Sequence, residues 1–394
     1  MPLAVAFSML GLCFASACES SDSSSQDPVP FVATDPRRVE SPAVPLLLPG
    51  DPALHGRHLA LDYGAPRPAT AQRDGELGYR VVVPLDRVEV ARQRRYADGE
   101  FIAMEAVIAH EEEGRVRFEA YGDTRLTYVT AGAPKPYFHP VLGPGGVRMN
   151  RAFPMEQVEG EERDHVHHRG IWFAHGDVDG VDFWTEGEGR GTIRHEKSYD
   201  FVSGLVFAAF RADATWLDAQ GRVLLRDERR YVFIPCGDET VLDVEIQLRA
   251  PGEKPVVLGD TKEGLMAFRL SEELRAKGPR ATGVLVNSEG QLGEAGWGKN
   301  ARWIDCSGKV GDATLGVAIF DHPQNLRHPT PWHARTYGLL AANPFGLHDF
   351  QKAPKGTGSY TLEPSKPLTL RYRFLFHRGD ATTARIAERA PLYR

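Results

Sequence analysis

The heptapeptide Leu242-Asp243-Val244-Glu245-Ile246-Gln247-Leu248 alternates apolar and polar side chains without interruption. Alternation with a period of two puts one face of an extended chain in a core and the other in water, and an α-helix cannot satisfy it. The pattern recurs along the chain. Residues 115–121 and 125–130 alternate in the same way and are joined through Gly122-Asp123-Thr124, which predicts a hairpin. Further strands are expected over 79–85, 87–90, 202–210, 212–217, 229–234, 315–320 and 368–376, while 101–109 fits either strand or helix. Helix signals are confined to 271–277 and 381–388. Forty glycines and 28 prolines supply the turns. The expectation is a mainly β protein, an antiparallel β-sandwich or supersandwich of two large sheets. No fixed-period repeat supports a propeller.

The ends of the chain read differently. Residues 1–18 carry no charged side chain, and a short apolar run leads into Ala15-Ser16-Ala17-Cys18. That run is too short to span a bilayer and fits a secretory signal peptide. Small residues before a cysteine resemble the lipobox of bacterial lipoproteins, which implies lipidation at Cys18. Residues 19–54 are rich in Ser, Asp and Pro and read as a disordered linker. The sandwich domain is expected over 55–394. The protein would then be exported, as a membrane-anchored lipoprotein or a periplasmic protein. Cys236 and Cys306 could pair in an oxidising compartment, with separate half-buried thiols the preferred reading. A net charge of −6 argues against a nucleic-acid partner.

The chemistry is concentrated in one stretch. Six of the fourteen histidines lie between His139 and His195, and four of them fall within residues 164–184. Imidazole is the side chain best suited to act as acid, base or metal ligand near neutral pH. On an extended backbone His165 and His167 would point to one side and His168 to the other. Asp164 could orient a neighbouring ring. As a metal centre, His165 and His167 would need a third ligand such as His175, Asp182 or a distant residue, and spacing does not select the divalent ion. Trp172 could fill a core or stack on a sugar ring.

Three later clusters gather polar groups, the last two of them with aromatics. They are Asp260-Thr261-Lys262-Glu263-Gly264, Trp297-Gly298-Lys299, and a dispersed set with Asp321-His322, Trp332-His333-Ala334-Arg335 and Asn343-Pro344-Phe345-Gly346. Sugar sites use that combination, planar polar groups for hydroxyls and aromatic faces for C–H surfaces. Gly143-Pro144-Gly145-Gly146 lacks the Lys-Ser/Thr ending of a phosphate loop, so nucleotide binding is not expected. No serine nucleophile elbow is present.

At these clusters, from about residue 136 to 376, the chain resembles the bacterial family labelled methane oxygenase PmoA-like. The label implies a membrane monooxygenase subunit, yet no apolar stretch long enough to cross a bilayer follows the leader. The family's pattern is similar to exported β-sandwich proteins of carbohydrate-processing bacteria, which implies a mutarotase-like supersandwich. The expected function is acid–base chemistry on a sugar: epimerase, lyase or hydrolase. His165 or His167 would serve as general acid and Glu263 or His333 as base. Asp164, Trp172, His175, Lys262, Lys299, His322, Arg335 and Asn343 would bind the ligand. The alternatives are a divalent-metal enzyme centred on His165 and His167, and a glycan-binding lipoprotein without turnover.

Overall fold

The computed structural model describes residues 42–49, 58–61, 69–75, 77–93, 96–97 and 106–394. The expected signal peptide and Cys18 lie outside the described residues. Two eight-stranded antiparallel sheets make up the body of the molecule. The first sheet runs, edge to edge, Trp332–Arg335, Leu339–Ala342, Gly264–Arg269, Ile171–His175, Tyr137–Val141, Asp123–Val129, Arg115–Ala120 and Val107–Glu112. The second runs Thr192–Val202, Ala208–Leu217, Val223–Cys236, Glu239–Arg249, Leu368–Arg378, Ala313–Asp321, Trp303–Val310 and Val284–Asn287. They pack face to face through aromatic rings. Phe118 lies 5.3 Å from both Phe210 and Phe233, Phe138 lies 4.9 Å from Tyr231, and Phe268 lies 5.8 Å from Phe376. The antiparallel sandwich read from the alternation is the observed architecture.

Both sheets are also covered on their outer faces, which explains strands with few polar positions. In the second sheet Tyr231 and Phe233 point into the sandwich, while Val232 and Ile234 join an outer cluster with Val82, Phe207 and Tyr393. Part of that cover is a separate five-stranded sheet ordered Ala43–Leu48, Tyr79–Pro84, Ala69–Arg73, His58–Leu61, Tyr96–Ala97, with its own apolar cluster. Its first strand falls inside the stretch expected to be linker. Gln72 ties this sheet to the sandwich: its side-chain oxygen accepts from the N–H groups of Val206 and Phe207 at 2.8 and 3.0 Å.

Several local expectations change. Residues 87–90 are not a strand. Pro84 ends the preceding strand, and the chain passes through a 3₁₀ turn, Leu85–Arg87, into the helix Val88–Gln93. Residues 271–277 form turns rather than a helix. Ala276 and Lys277 donate their N–H groups to the distant Thr336 carbonyl, and the buried Arg275 folds back onto Glu162 and Glu272. The 202–210 run divides between two strands at Gly204, which pairs with Val107. Near the C-terminus only Ile386–Arg389 is α-helical, because Arg385 takes a left-handed φ of 54°. Cys236 and Cys306 are both free and buried, so they do not pair. The hairpin at 115–130 forms as expected, turning at Tyr121-Gly122, both with positive φ.

Candidate functional site

Register places the site on the outer face of the first sheet. Paired residues in an antiparallel sheet share a face, and His333, Ala341, Ala267, Trp172 and Tyr137 form one continuous cross-strand row. Two residues along, Arg335, Leu339 and Arg269 form the next row on the same face. The long connection between Tyr137–Val141 and Ile171–His175 covers these rows and carries the histidine cluster.

Arg151 organises that connection. Its guanidinium is fully buried and donates to the carbonyls of Phe153, Glu162 and His165 at 3.1, 3.3 and 3.0 Å, and to Oδ1 of Asp164. Arg269, equally buried, donates to the same Oδ1 at 2.8 Å and to Nδ1 of His168 at 3.3 Å. Oδ2 of Asp164 accepts from Nδ1 of His165 at 2.6 Å. Burial works to raise the Asp164 pKa, but the His165 bond and the two guanidiniums outweigh it and hold the carboxyl well below the usual carboxylate range.

The backbone here is a turn. His165 has a φ of 44°, and the His168 N–H donates to the His165 carbonyl at 3.0 Å. The premise of an extended His165–His167 pair therefore fails. His165 is instead held in plane by stacking, 5.2 Å from Tyr337 and 4.7 Å from His168. His168 is buried between Trp172 and Trp184 and is structural. His167 stands at right angles to both neighbours, and among the described residues its ring nitrogens have no hydrogen-bond partner. Burial, and then Lys135, push its pKa down to about 4, so the ring is neutral at physiological pH. A neutral ring accepts at one nitrogen and donates at the other, and it is not the imidazolium that the general-acid role expected of His167 requires.

From Tyr337 the site continues across the sheet. The Arg335 guanidinium lies 6.0 Å from the Tyr337 ring and 5.8 Å from that of Trp297. Trp297 meets His333 edge-on at 6.3 Å. His333 is buried, and its Nδ1 bonds the Lys262 carbonyl at 2.8 Å, leaving Nε2 as the acceptor of the neutral ring. Burial lowers its pKa, opposed by nearby Glu263. The Lys262 ammonium pairs with Glu263 at 3.2 Å, both partly exposed. Asp164, His165, His167, Lys262, Glu263, His333 and Arg335 thus fall in one contiguous array, with Lys299 exposed near its Trp297 margin.

Four residues expected to touch ligand do not stand in that array. Trp172 is 1% exposed beneath His168 and belongs to the core. His175 is fully buried, with Nε2 on the Gly259 carbonyl at 2.9 Å. Asn343 is fully buried and bridges the Thr261 carbonyl and the Phe345 N–H. His322 lies on the outer face of the second sheet, edge-on to Tyr393 at 5.0 Å. Of the third ligands named for a metal, His175 is buried with Nε2 on the Gly259 carbonyl, and Asp182 is spent on Trp184, Thr185 and Arg190. Among the described residues no three His, Cys, Asp or Glu side chains come together as a metal-holding group.

Tyr337, Arg151, Arg269, Lys135 and Glu186 escaped the sequence reading. Lys135 is buried, donates to the Trp184 carbonyl and to Glu186, and has its pKa lowered to about 8 by burial. Glu186 also takes both arms of Arg169. Nothing local marks these residues; only Tyr337, two places after Arg335 and before a glycine, offered a signal.

Residues 115–391 match a family described as a family of unknown function (DUF6807), well over half of the chain. The chain belongs to that family. No curated protein matches it. Among solved structures it is similar to a GH36 α-galactosidase from Geobacillus stearothermophilus in complex with raffinose, at 8% identity and a TM-score of 0.36, over 70% of this chain and 41% of that one. It is also similar to a galactose mutarotase related enzyme from Lactobacillus acidophilus, at 10% identity and a TM-score of 0.29, over 70% and 97%. The chain thus spans about two fifths of the α-galactosidase's length.

Proposed function

We propose that this chain is an exported, carbohydrate-active protein that performs acid–base chemistry on a sugar at the array around His165. The observation that carries the reading is the Asp164–His165 pair. A carboxylate locked by two buried guanidiniums fixes the Nδ1 proton of a stacked, partly exposed imidazole, so its Nε2 is left to accept a proton from ligand. Tyr337, whose pKa burial raises to about 12, keeps its own proton and is a donor beside it. His333 presents a second acceptor near Glu263. The half-buried Trp297 offers a ring face, while Lys262 and Arg335 offer donors to hydroxyls or a carboxylate. Epimerase and lyase reactions begin with such a proton transfer from the sugar, and in a hydrolase the same acceptor would take its proton from the attacking water. Among the described residues no helix is long and apolar enough to cross a membrane.

Calorimetric titration with neutral sugars, uronates and oligosaccharides, followed by turnover assays on those that bind, tests the reading. His165→Gln should cut turnover by about 10²–10⁴-fold while binding and melting temperature change little. Binding without turnover in the wild type would leave a glycan-binding protein; no binding across the panel would overturn the proposal. The proposed export and anchor have a separate test. The wild type should partition into detergent and Cys18→Ser should not; equal partition would remove the anchor.

A further inference from the structure

A cavity lies on the opposite side of the molecule, between the five-stranded sheet, the outer face of the second sheet and the C-terminal segment. Its volume is about 230 Å³, and Arg80, Arg230, Arg371 and Arg373 line it. Register explains the clustering. Arg230 and Arg371 flank Glu245 in one cross-strand row, and Arg373 sits beside Asp243 in the next, all on the outer face. Arg80 comes down from the five-stranded sheet and reaches Asp243 at 3.3 Å.

These four guanidiniums meet three carboxylates. Arg80 and Arg230 share the buried Asp74, Arg373 takes Asp243 through two bonds of 2.6 and 2.8 Å, and Arg371 takes Glu245 at 2.6 Å. Arg394 brings a fifth guanidinium to the lining, and its Nε donates to the Pro391 carbonyl rather than to an acid. Counting only the four guanidiniums against the three carboxylates, positive charge is in excess by one. Burial, with Arg80 and Arg211 adding repulsion against the attraction of Asp74, holds the Arg230 pKa below its usual value, as expected where cations are crowded. Among the described residues Arg80, Arg230, Arg371 and Arg373 each keep at least one guanidinium nitrogen without an acceptor.

The rim is apolar. Leu47 and Leu77, 42% and 58% exposed, are among the few large hydrophobic side chains the described residues leave in solvent, and both line this cavity. Such a combination of forked donors and exposed leucines suits an oxyanion, free or carried on an amphiphile. His322, expected at the sugar site, stands here.

We propose that this cavity is a binding site for a phosphate-class oxyanion, separate from the His165 site. The shared chemistry is a tetrahedral phosphate oxyanion held by Arg230 and Arg371, with Arg80 and Arg373 behind them. Two sources could supply it, free phosphate and the headgroup of an anionic lipid, and two arms of one experiment distinguish them. In the first, calorimetry at constant ionic strength titrates inorganic phosphate against chloride. In the second, the Cys18→Ser protein, which lacks the proposed anchor, is floated with vesicles of phosphatidylglycerol or of phosphatidylcholine.

Saturable phosphate binding, weakened roughly tenfold or more in both Arg371→Gln and Arg230→Gln, supports the site with a free ligand. Flotation with phosphatidylglycerol alone, lost in both variants and reduced by Leu47→Ser, supports it with a lipid headgroup. Arg371 is the more exposed of the two arginines, so its variant is expected to melt with the wild type. Binding in neither arm, or binding undiminished in Arg371→Gln, overturns the proposal. Sugar binding at His165 should be unaffected by either arginine variant, so failure here is distinct from failure there.

Discussion

Replacing Asp164 with asparagine probes the centre of the site with one nearly isosteric change. Its two oxygens join Arg151 and Arg269 on one side to His165 on the other. Both arginine side chains are 0% exposed, while the carboxylate is 34% exposed. Breaking a fully buried ion pair costs about 3–5 kcal/mol, and screening of the part-exposed carboxylate reduces the expectation to about 1–3 kcal/mol. For a domain of this size that is a fall of roughly 2–10 °C in Tm. The amide has a second effect. Its oxygen must face the guanidiniums, so its NH₂ meets Nδ1 of His165, which can then only accept. In the neutral ring the proton moves to Nε2, and the proposed base becomes a donor. Loss of the working tautomer should lower turnover by about 10²–10⁴-fold. Nitrogen-15 spectra of the imidazole show which nitrogen carries the proton without any substrate, and calorimetry gives Tm. A variant whose His165 keeps its Nδ1 proton, or that melts with the wild type at neutral pH, would show that Asp164 does not set this tautomer or hold this connection. The pH dependence has a definite sign. Because the folded carboxyl is depressed, its stabilisation is fully present above the unfolded pKa of about 4 and is lost as pH falls through the lower folded value. The gap in Tm between wild type and variant should therefore close on strong acidification.

Other predictions use features outside this pair. His377 and Asp305 form a buried contact of 2.7 Å with both side chains 0% exposed, and Asp305 raises the imidazole pKa against the effect of burial. That stabilisation should be complete below the unfolded value of about 6.5 and lost as pH rises through the higher folded value. Asp305→Asn should remove this dependence and cost about 3–5 kcal/mol, and a variant as stable as wild type in mild acid would contradict it. At Gly170, with φ of +56°, an added Cβ would sit 1.8 Å from the Phe138 carbonyl oxygen. Gly170→Ala should cost more than about 3 kcal/mol by forcing the histidine connection off the sheet, and chemical denaturation would expose an error if the midpoint did not move. The ring protons of His167 should show no titration between about pH 5 and 8, given a pKa pushed down to about 4; an NMR midpoint near 6.5 would refute its burial.

The strands were legible because alternation is a local property. Each residue of 242–248 declares its face through its own polarity, whatever lies across the sheet. The failures lie where distant groups decide. Nothing near residues 271–277 announces that Thr336 will take their N–H groups, and nothing near His322 separates it from the other histidines. Composition could point to His165, His167 and Glu263 because imidazole and carboxylate carry chemistry wherever they stand. It could not foresee that His165 would turn on a left-handed backbone.

Polarity period and side-chain type are written residue by residue, so antiparallel strands and the clustering of reactive groups in a few segments could be read without any tertiary contact. The tertiary structure alone decided which groups act together. Asp164 meets Arg151 and Arg269 across 13 and 105 positions. Trp172 and His175 sink into the core while His165 stays at the surface. The physical reason is that burial and pairing depend on which rows of a sheet share a face. That is set by the register of strands far apart in the chain, and no single segment encodes it.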